Sequence, residues 1–280
     1  MGREWPALDV TDAGDADLLL AAVDECGPTA LEERDTGVRL FFATPEARDA
    51  AVAAAKAARY TAQAVEVPDE DWGRRSQQDL QPITVGRITI VPGPEFLTNR
   101  QSSIVNRQFL VIPPSMAFGT GHHATTRMCL AGLQTFDLSN ARVLDVGTGS
   151  GVLAIASVAL GAEAAIGIDH DPDAVAAARE NLALNRHVRG IDRVTFSCED
   201  LRALDCRDHS VVVANLTGTL LAQAALSLTG LARPGGRVVL SGILSDERDA
   251  VLGAFGPGVK RVWQAEEGEW VGLVLMKNNL

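Results

Sequence analysis

The stretch V-L-D-V-G-T-G-S-G-V-L-A-I-A, residues 143–156, decides the predicted fold. An apolar segment runs directly into a glycine-rich loop, and a second apolar segment follows without a break. This order predicts a buried strand, a tight turn and a helix. Gly147 and Gly149 would let the backbone approach a ligand closely, and the helix N-terminus would present free N–H groups to an anion.

The spacing of these glycines separates two classes of ligand. A dinucleotide site requires G-x-G-x-x-G, so that the pyrophosphate rests on the helix. Here Gly151 comes one residue early, and Val152 occupies the position where a dinucleotide site needs glycine. The spacing therefore favours S-adenosylmethionine, whose carboxylate is the only anionic group that the loop has to bind. A purely structural turn is disfavoured, because three glycines in five positions cost backbone entropy. We predict a cofactor loop that contains Asp145, Gly147, Gly149 and Gly151.

From residue 142 onward, strand patterns alternate with helix patterns, which predicts a parallel sheet with helices on both faces. The last two strands, at 259–264 and 270–276, are joined by only a short turn and must be antiparallel. A doubly wound sheet that ends in such a hairpin is typical of methyltransferases. The predicted fold class is α/β, with a seven-stranded Rossmann-like methyltransferase sheet. The other predicted elements are strands at 83–91, 108–112, 142–146, 164–168, 194–197, 210–214 and 237–241, and helices at 125–136, 151–160, 172–185, 218–231 and 246–255.

Residues 1–67 predict a separate, small α+β domain. Strand patterns lie at 8–10, 29–33, 38–42 and 62–67, with an alanine-rich helix at 44–59 and another helix that starts at Asp15 or Asp17 and ends at Glu25. The order βαββαβ is that of a ferredoxin-like fold. Residues 68–82 are polar around a lone Trp72 and predict a linker, which leaves residues 83–280 for the larger domain.

Charge is spread unevenly along the chain. The net charge is −11, which argues against direct binding of nucleic acid through a broad basic surface. Residues 1–67 hold thirteen Asp and Glu against six Lys and Arg, a net charge of −7 that leaves −4 for the remaining residues. Two interpretations stay open: the acidic charge keeps the protein soluble, or it forms a face that meets a basic partner.

The sequence predicts neither export nor membrane insertion. The N-terminus lacks an apolar signal segment, and no run approaches the ~18 apolar residues of a membrane span. His122 and His123 have no third ligand nearby, so no metal site is predicted. Four cysteines without a C-x-x-C pair favour free thiols in a reducing compartment, and hence the cytoplasm. They are Cys26, Cys129, Cys198 and Cys206.

Acidic side chains follow the predicted strands after the glycine loop. Asp169 lies 22 residues after Gly147, at the end of the next strand, where a carboxylate can accept hydrogen bonds from both ribose hydroxyls. The alternative is a helix cap, although Asp171 before Pro172 can take that role instead. Asp200, after the third strand, either contacts the adenine edge or makes no cofactor contact.

Asn215 closes the apolar strand at 210–214, at the edge of the sheet where such folds bind ligands. A lysine amine has an unperturbed pKa of about 10.4 and must lose its proton before it can accept a methyl group. The Asn215 amide and the Leu216 carbonyl can accept N–H bonds and aim the lone pair without the negative charge that favours ammonium. A structural asparagine at a strand end is the alternative.

Several motifs together resemble the PrmA family of bacterial ribosomal-protein methyltransferases, which trimethylate ribosomal protein L11. These motifs are A-F-G-T-G-H-H-A-T-T at 117–126, the glycine loop, A-N-L at 214–216 and L-S-G-I-L at 240–244. The resemblance is dense over residues 69–280 and only architectural over residues 1–67. It implies lysine and N-terminal α-amine methylation with S-adenosylmethionine, and an N-terminal domain that recognises the basic ribosomal protein. The −7 charge of residues 1–67 agrees with that partner.

The resemblance also implies roles for single residues. Thr126, Gly147, Asp169 and Asn215 match cofactor-contacting positions. His123 matches the family's loop histidine, which either places the substrate or packs the loop. Departures from the family pattern weaken the substrate assignment, namely Ser115, Ala124 and Thr217. A lysine methyltransferase for another protein and a catalytically idle binding module remain alternatives, and we expect a monomer.

Overall fold

The computed structural model divides the chain into two compact units, residues 1–79 and 80–280. Each unit has its own hydrophobic core. The structure describes residues 4–11, 19, 22–23, 26–34, 37–68, 81–97, 107–113, 123–201, 204 and 208–279. Most of the predicted linker therefore lies outside the described residues, and so do residues 114–122, which include His122.

The first unit is built on a four-stranded antiparallel sheet in the order β2-β3-β1-β4. Its strands are β1 (Glu4–Thr11), β2 (Pro28–Arg34), β3 (Gly37–Phe42) and β4 (Thr61–Pro68). Helix α1 (Pro45–Ala57) begins where the Thr44 hydroxyl accepts the backbone N–H of Ala47 at 3.2 Å. The strand order confirms the ferredoxin-like prediction. Of the predicted helix that ends at Glu25, the structure describes Leu19, Ala22 and Val23, all of them helical.

The second unit contains a seven-stranded sheet in the order β10-β9-β8-β11-β12-β14-β13. Only β14 runs against the others, antiparallel to both β12 and β13, as the short final turn predicted. The chain leaves β8 in one direction for β9 and returns on the other side at β11, so a topological switch point lies between β8 and β11. The strands are β8 (Arg142–Val146), β9 (Ala164–Asp169), β10 (Val194–Cys198), β11 (His209–Asn215), β12 (Ala232–Leu244), β13 (Val259–Glu267) and β14 (Trp270–Lys277).

Helices cover both faces of this sheet. One face carries α2 (Ala124–Leu133), α3 (Val152–Ala159) and α4 (Pro172–Leu184), and the other carries α5 (Gly218–Leu231) and α6 (Arg248–Phe255). Side chains of β11 alternate between the two cores, because successive residues of a strand point to opposite faces. Val211 and Val213 pack under α2 and α3, and Val212 and Ala214 pack under α5 and α6. Among the described helices, none is both long and apolar enough to span a membrane.

A small third sheet corrects one prediction. The pattern at residues 83–91 predicted a single strand, but the chain turns back at Gly86 (φ +56°) and forms β5 (Ile83–Val85) and β6 (Ile88–Val91). The Gln134 side chain closes this turn by hydrogen bonds to the N–H of Arg87 (2.7 Å) and the carbonyl of Val85 (2.9 Å). Strand β7 (Gln108–Val111) then pairs parallel to β6. β-branched residues on both sides of Gly86 concealed the turn in the sequence.

Candidate active site

The glycine loop lies between β8 and α3, at the carboxyl end of the sheet. Gly147, Gly149 and Gly151 have φ values of +69°, +51° and +78°, which favour glycine because a Cβ clashes with the backbone there. The N–H groups of Gly147 and Thr148 both donate to the Ile168 carbonyl at 2.9 Å, so the loop is bonded to the end of β9. At Gly147 and Gly149 the loop therefore presents backbone atoms without side chains.

The third glycine of the loop is explained by packing. A Cβ on Gly151 would lie 2.6 Å from Cζ of Phe196 and 3.0 Å from Cβ of Ala178. Gly151 therefore lets α3 start close against β10 and α4. Gly147 has a different neighbour, since its Cβ would lie 2.6 Å from Cδ2 of Leu216, just beyond the end of β11.

The buried Asp145 carboxyl holds the loop from the core side by hydrogen bonds. Its side chain is buried, at 1% exposure, and Oδ2 accepts hydrogen bonds from the Thr148 hydroxyl (2.6 Å) and the Ala154 N–H (3.2 Å). Its Oδ1 has no hydrogen-bond partner within the described part of the chain. Burial raises the pKa of Asp145 to about 6, and the nearby charge of Asp169 adds to the rise, although the two hydrogen bonds oppose it. Asp145 thus shapes the loop from the core side.

Asp169 ends β9 with its carboxylate against the glycine loop. Oδ2 accepts the N–H of Gly149 at 3.0 Å, and Oδ1 accepts the N–H of Asp171 at 3.1 Å. Asp171 in turn caps α4 through the N–H of Asp173 at 2.9 Å. The helix cap is therefore Asp171, as the sequence allowed, and the Asp169 carboxylate lies at the glycine loop, where ribose binding stays a prediction. Asp200 is half-buried, two residues beyond the end of β10.

Asn215 ends β11, across the switch point from the glycine loop. Its Nδ2 donates to the Thr126 hydroxyl at 3.4 Å, and its Oδ1 is buried without a partner among the residues that the structure describes. The Leu216 N–H donates to the Ser241 carbonyl at 3.1 Å. The Leu216 carbonyl lies so close to Gly242 that a Cβ there would be 2.2 Å from it. Of the two predicted acceptors, the Asn215 oxygen is buried without a described partner, and the Leu216 carbonyl packs against Gly242.

The first turn of α2 places Thr126 and His123. Thr126 is fully buried, and its hydroxyl faces the Asn215 amide. His123 is the N-cap of α2: its Nδ1 accepts the Thr125 N–H at 3.4 Å and lies 2.7 Å from the Thr125 hydroxyl. Its ring meets Trp270 edge-on, with centroids 5.0 Å apart. The contacts that the structure describes for His123 are therefore those of a cap and a packing residue.

Sequence patterns missed two contributors to this site. Gly242 makes room for the Leu216 carbonyl, and Arg127 pairs with Glu267 beside Thr126. Gly242 lies in the L-S-G-I-L motif at 240–244, but no local pattern reveals its role or the Arg127–Glu267 pair, because both depend on segments far away in the chain. Within the described ranges, no group of three or more His, Cys, Asp and Glu could hold a metal ion.

The raised pKa of Asp145 predicts a pH-dependent stability. The folded protein binds this proton more tightly than the unfolded chain, so the contribution of Asp145 to the free energy of unfolding falls as pH rises from about 4 to about 6. Asp145→Asn cannot titrate. Between pH 4 and pH 7.5, the free energy of unfolding of the wild type should fall by about 2.4 kcal/mol relative to that of the variant. Chemical denaturation across this pH range measures it.

Asp137→Asn is a control of opposite sign. Hydrogen bonds from the backbone and hydroxyl of Ser139 lower the pKa of Asp137, so its contribution to stability increases with pH. A wild-type-minus-Asp145→Asn difference that is the same at pH 4 and pH 7.5 would contradict the assigned burial of this carboxyl.

Comparison of the sequence with known proteins identifies related methyltransferases. The family described as ribosomal protein L11 methyltransferase (PrmA) matches residues 22–278. A ribosomal protein L11 methyltransferase of Deinococcus radiodurans is 38% identical over 233 residues, 82% of this chain and 81% of that protein. One from Geobacter sulfurreducens is 42% identical over 210 residues, 74% of this chain and 67% of that protein.

A solved structure adds the fold to this comparison. The crystal structure of a ribosomal protein L11 methylase from Lactobacillus delbrueckii subsp. bulgaricus superposes with a TM-score of 0.62 at 27% identity, covering 71% of this chain and 98% of that one. Fold, loop and sequence match therefore agree, and the chain belongs to the ribosomal protein L11 methyltransferase (PrmA) family of protein methyltransferases.

Proposed function

We propose that this enzyme transfers methyl groups from S-adenosylmethionine to lysine side chains and the N-terminal α-amine of ribosomal protein L11. The observation that carries the proposal is the Asn215 Oδ1, a buried acceptor without a described partner at the switch point of the sheet. Family membership and the names of the relatives support the substrate. The cytoplasm is the proposed site of action.

The loop and the end of β9 fit this cofactor. Gly147 and Gly149 present backbone rather than side chain, as a carboxylate ligand at a helix start requires. Each oxygen of Asp169 accepts one backbone N–H and keeps acceptor capacity for ribose hydroxyls. By resemblance, Thr126 and Asn215 belong to the proposed set, and Asp200, which follows β10, is the candidate for the adenine edge. When bound, S-adenosylmethionine supplies the methyl carbon: the amine nitrogen bonds to it as the C–S bond breaks, and that bonding pair stays on sulfur.

Asn215 prepares the amine that accepts the methyl group. Its Oδ1 accepts an N–H from the neutral amine, which directs the nitrogen lone pair, and Thr126 holds the other end of the amide. An amide carries no net charge, so it does not stabilise the protonated ammonium that cannot attack. The proton released from the product leaves to solvent.

The acidic first unit is the proposed recognition domain. Residues 1–67 carry a net charge of −7, which complements a basic protein and speeds its diffusional encounter.

Mass spectrometry tests the proposed function. Purified L11 incubated with the enzyme and S-adenosylmethionine should gain methyl groups in steps of 14 Da, on lysines and on the α-amine. Methylation of other proteins in an extract, with L11 unchanged, would point to a different protein substrate. An enzyme that binds the cofactor and methylates neither L11 nor extract proteins would be an idle binding module.

Cofactor binding should depend on Asp169. Loss of a charged acceptor costs on the order of 1.5–3 kcal/mol, so Asp169→Ala should weaken S-adenosylmethionine binding about ten- to a hundredfold. Calorimetry measures the affinity. Asp171→Ala is the matched control, because it removes an aspartate two residues away that only caps α4. Equal affinities for wild type and Asp169→Ala would remove Asp169 from the cofactor site.

Turnover should depend on the absence of charge at Asn215. Asn215→Asp keeps an acceptor oxygen but stabilises the ammonium form, which raises the pKa of the bound amine. Its turnover at saturating cofactor should fall at least about tenfold at neutral pH and recover as pH rises. Asn215→Ala should be slow at every pH. Near-normal turnover of Asn215→Asp at neutral pH would show that another group orients the amine.

A further inference from the structure

The first turn of α2 is tied to the turn between β13 and β14 by an ion pair. The Arg127 guanidinium donates through Nε to both carboxylate oxygens of Glu267, at 3.1 and 3.3 Å, and through Nη2 to Oε1. These hydrogen bonds lower the pKa of the Glu267 carboxyl, which keeps it ionised. The pair connects residues 140 positions apart in the chain.

A second contact ties the same two segments together. The His123 ring meets the Trp270 ring edge-on at 5.0 Å. Glu267 ends β13 and Trp270 begins β14, so the two contacts flank the hairpin turn on its two sides. His123 and Arg127 are four positions apart, which puts both on one face of the helix. The hairpin turn therefore contacts the start of α2 at two points.

Farther along, α2 lies very close to β14. A Cβ on Gly272 would lie 2.7 Å from Cβ of Met128, and a Cβ on Gly132 would lie 3.1 Å from Cγ2 of Val274. This packing fixes the distance between the helix and the sheet. The position of the first turn of α2 then depends on the two contacts at the hairpin, Arg127–Glu267 and His123–Trp270.

Thr126 lies between these two anchors and meets Asn215. The Asn215 Nδ2 and the Thr126 hydroxyl are 3.4 Å apart, near the limit for a hydrogen bond, so a small shift of the first turn would break the contact. We infer that Arg127 and Glu267 are positioning residues: their ion pair keeps Thr126 at the Asn215 amide and so directs Oδ1 toward the methyl acceptor. This inference rests on the amine-orienting role proposed for Asn215.

The exposure of the ion pair allows an effect on turnover to be distinguished from an effect on the stability of the fold. Side-chain exposure is 26% for Arg127 and 47% for Glu267, and ion pairs this exposed add little to the stability of a folded protein. If the pair were merely structural, removing it would therefore change neither the stability nor the turnover of the protein by much. A positioning pair lowers the rate while the protein stays folded.

Arg127→Gln is the first test. Turnover at saturating cofactor and L11 should fall about ten- to a hundredfold, because misplacing a catalytic group by about 1 Å costs that much. S-adenosylmethionine affinity measured by calorimetry should fall much less than turnover, although Thr126 also belongs to the proposed cofactor set, and the melting temperature should be nearly unchanged. The charge-swapped double variant Arg127→Glu, Glu267→Arg should recover turnover relative to either single variant.

Arg248→Gln is the matched control. Arg248 lies 3.6 Å from Glu266 on the same hairpin, but it belongs to α6 and does not anchor α2. Its replacement should leave turnover unchanged. Unchanged turnover of Arg127→Gln would overturn the inference, and so would lost turnover accompanied by an equal loss of cofactor affinity or by no recovery in the charge swap.

The Asn215 side-chain amide supplies a readout that needs no activity. In the cofactor-free protein, its nuclear magnetic resonance signals should shift in Arg127→Gln and stay in place in Arg248→Gln. Signals that do not move in Arg127→Gln would refute the positioning role and leave the proposed function of Asn215 standing. Shifted signals with unchanged turnover would instead refute the amine-orienting role itself.

Discussion

The Asp145 carboxyl joins the three segments on which the site depends. It lies one residue before the end of β8, and its Oδ2 accepts hydrogen bonds from Thr148 in the loop and from Ala154 in α3. The loop backbone in turn donates hydrogen bonds to the Ile168 carbonyl and the Asp169 carboxylate. The end of β9 is therefore held against the same loop. An ionised carboxylate at 1% exposure is unfavourable unless hydrogen bonds offset its desolvation. The two bonds fix the loop but offset only part of that cost, because the pKa of Asp145 is still raised to about 6.

Sequence patterns predicted what depends on neighbours in the chain. The Asp171 cap, the start of α1 after Thr44 and the antiparallel final hairpin all follow from short-range spacing. Contacts between distant segments had no such signal. The Arg127–Glu267 pair spans 140 residues and depends on how α2 lies over the sheet. The turn at Gly86 was hidden for a different reason, since apolar residues continue on both sides of it.

The glycine loop shows why a motif alone cannot separate binding from packing. A sequence reveals that glycine stands at a position, but not which atoms exclude a side chain there. At Gly151 the excluding atoms belong to Phe196 and Ala178, inside the fold. At Gly147 they belong to Leu216, the residue after Asn215, so the cofactor loop and the proposed amine site constrain each other directly. A side chain at 147 would have to displace the Leu216 side chain, next to Asn215.

A comparison of two asparagines within the second unit supports a ligand role for Asn215. Asn185 is fully buried, and both ends of its amide are bonded, to the N–H and carbonyl of Val111 and to the carbonyl of Asn181. That is the pattern of a structural asparagine. Asn215 has a bond only at Nδ2 among the described residues, and its Oδ1 is buried without one, which costs about 1–3 kcal/mol in the free protein. A structural role gives no reason to keep that cost, whereas an N–H donor on a bound amine would remove it. In the proposed role, part of the binding energy of the substrate would therefore come from satisfying an acceptor that the fold leaves open.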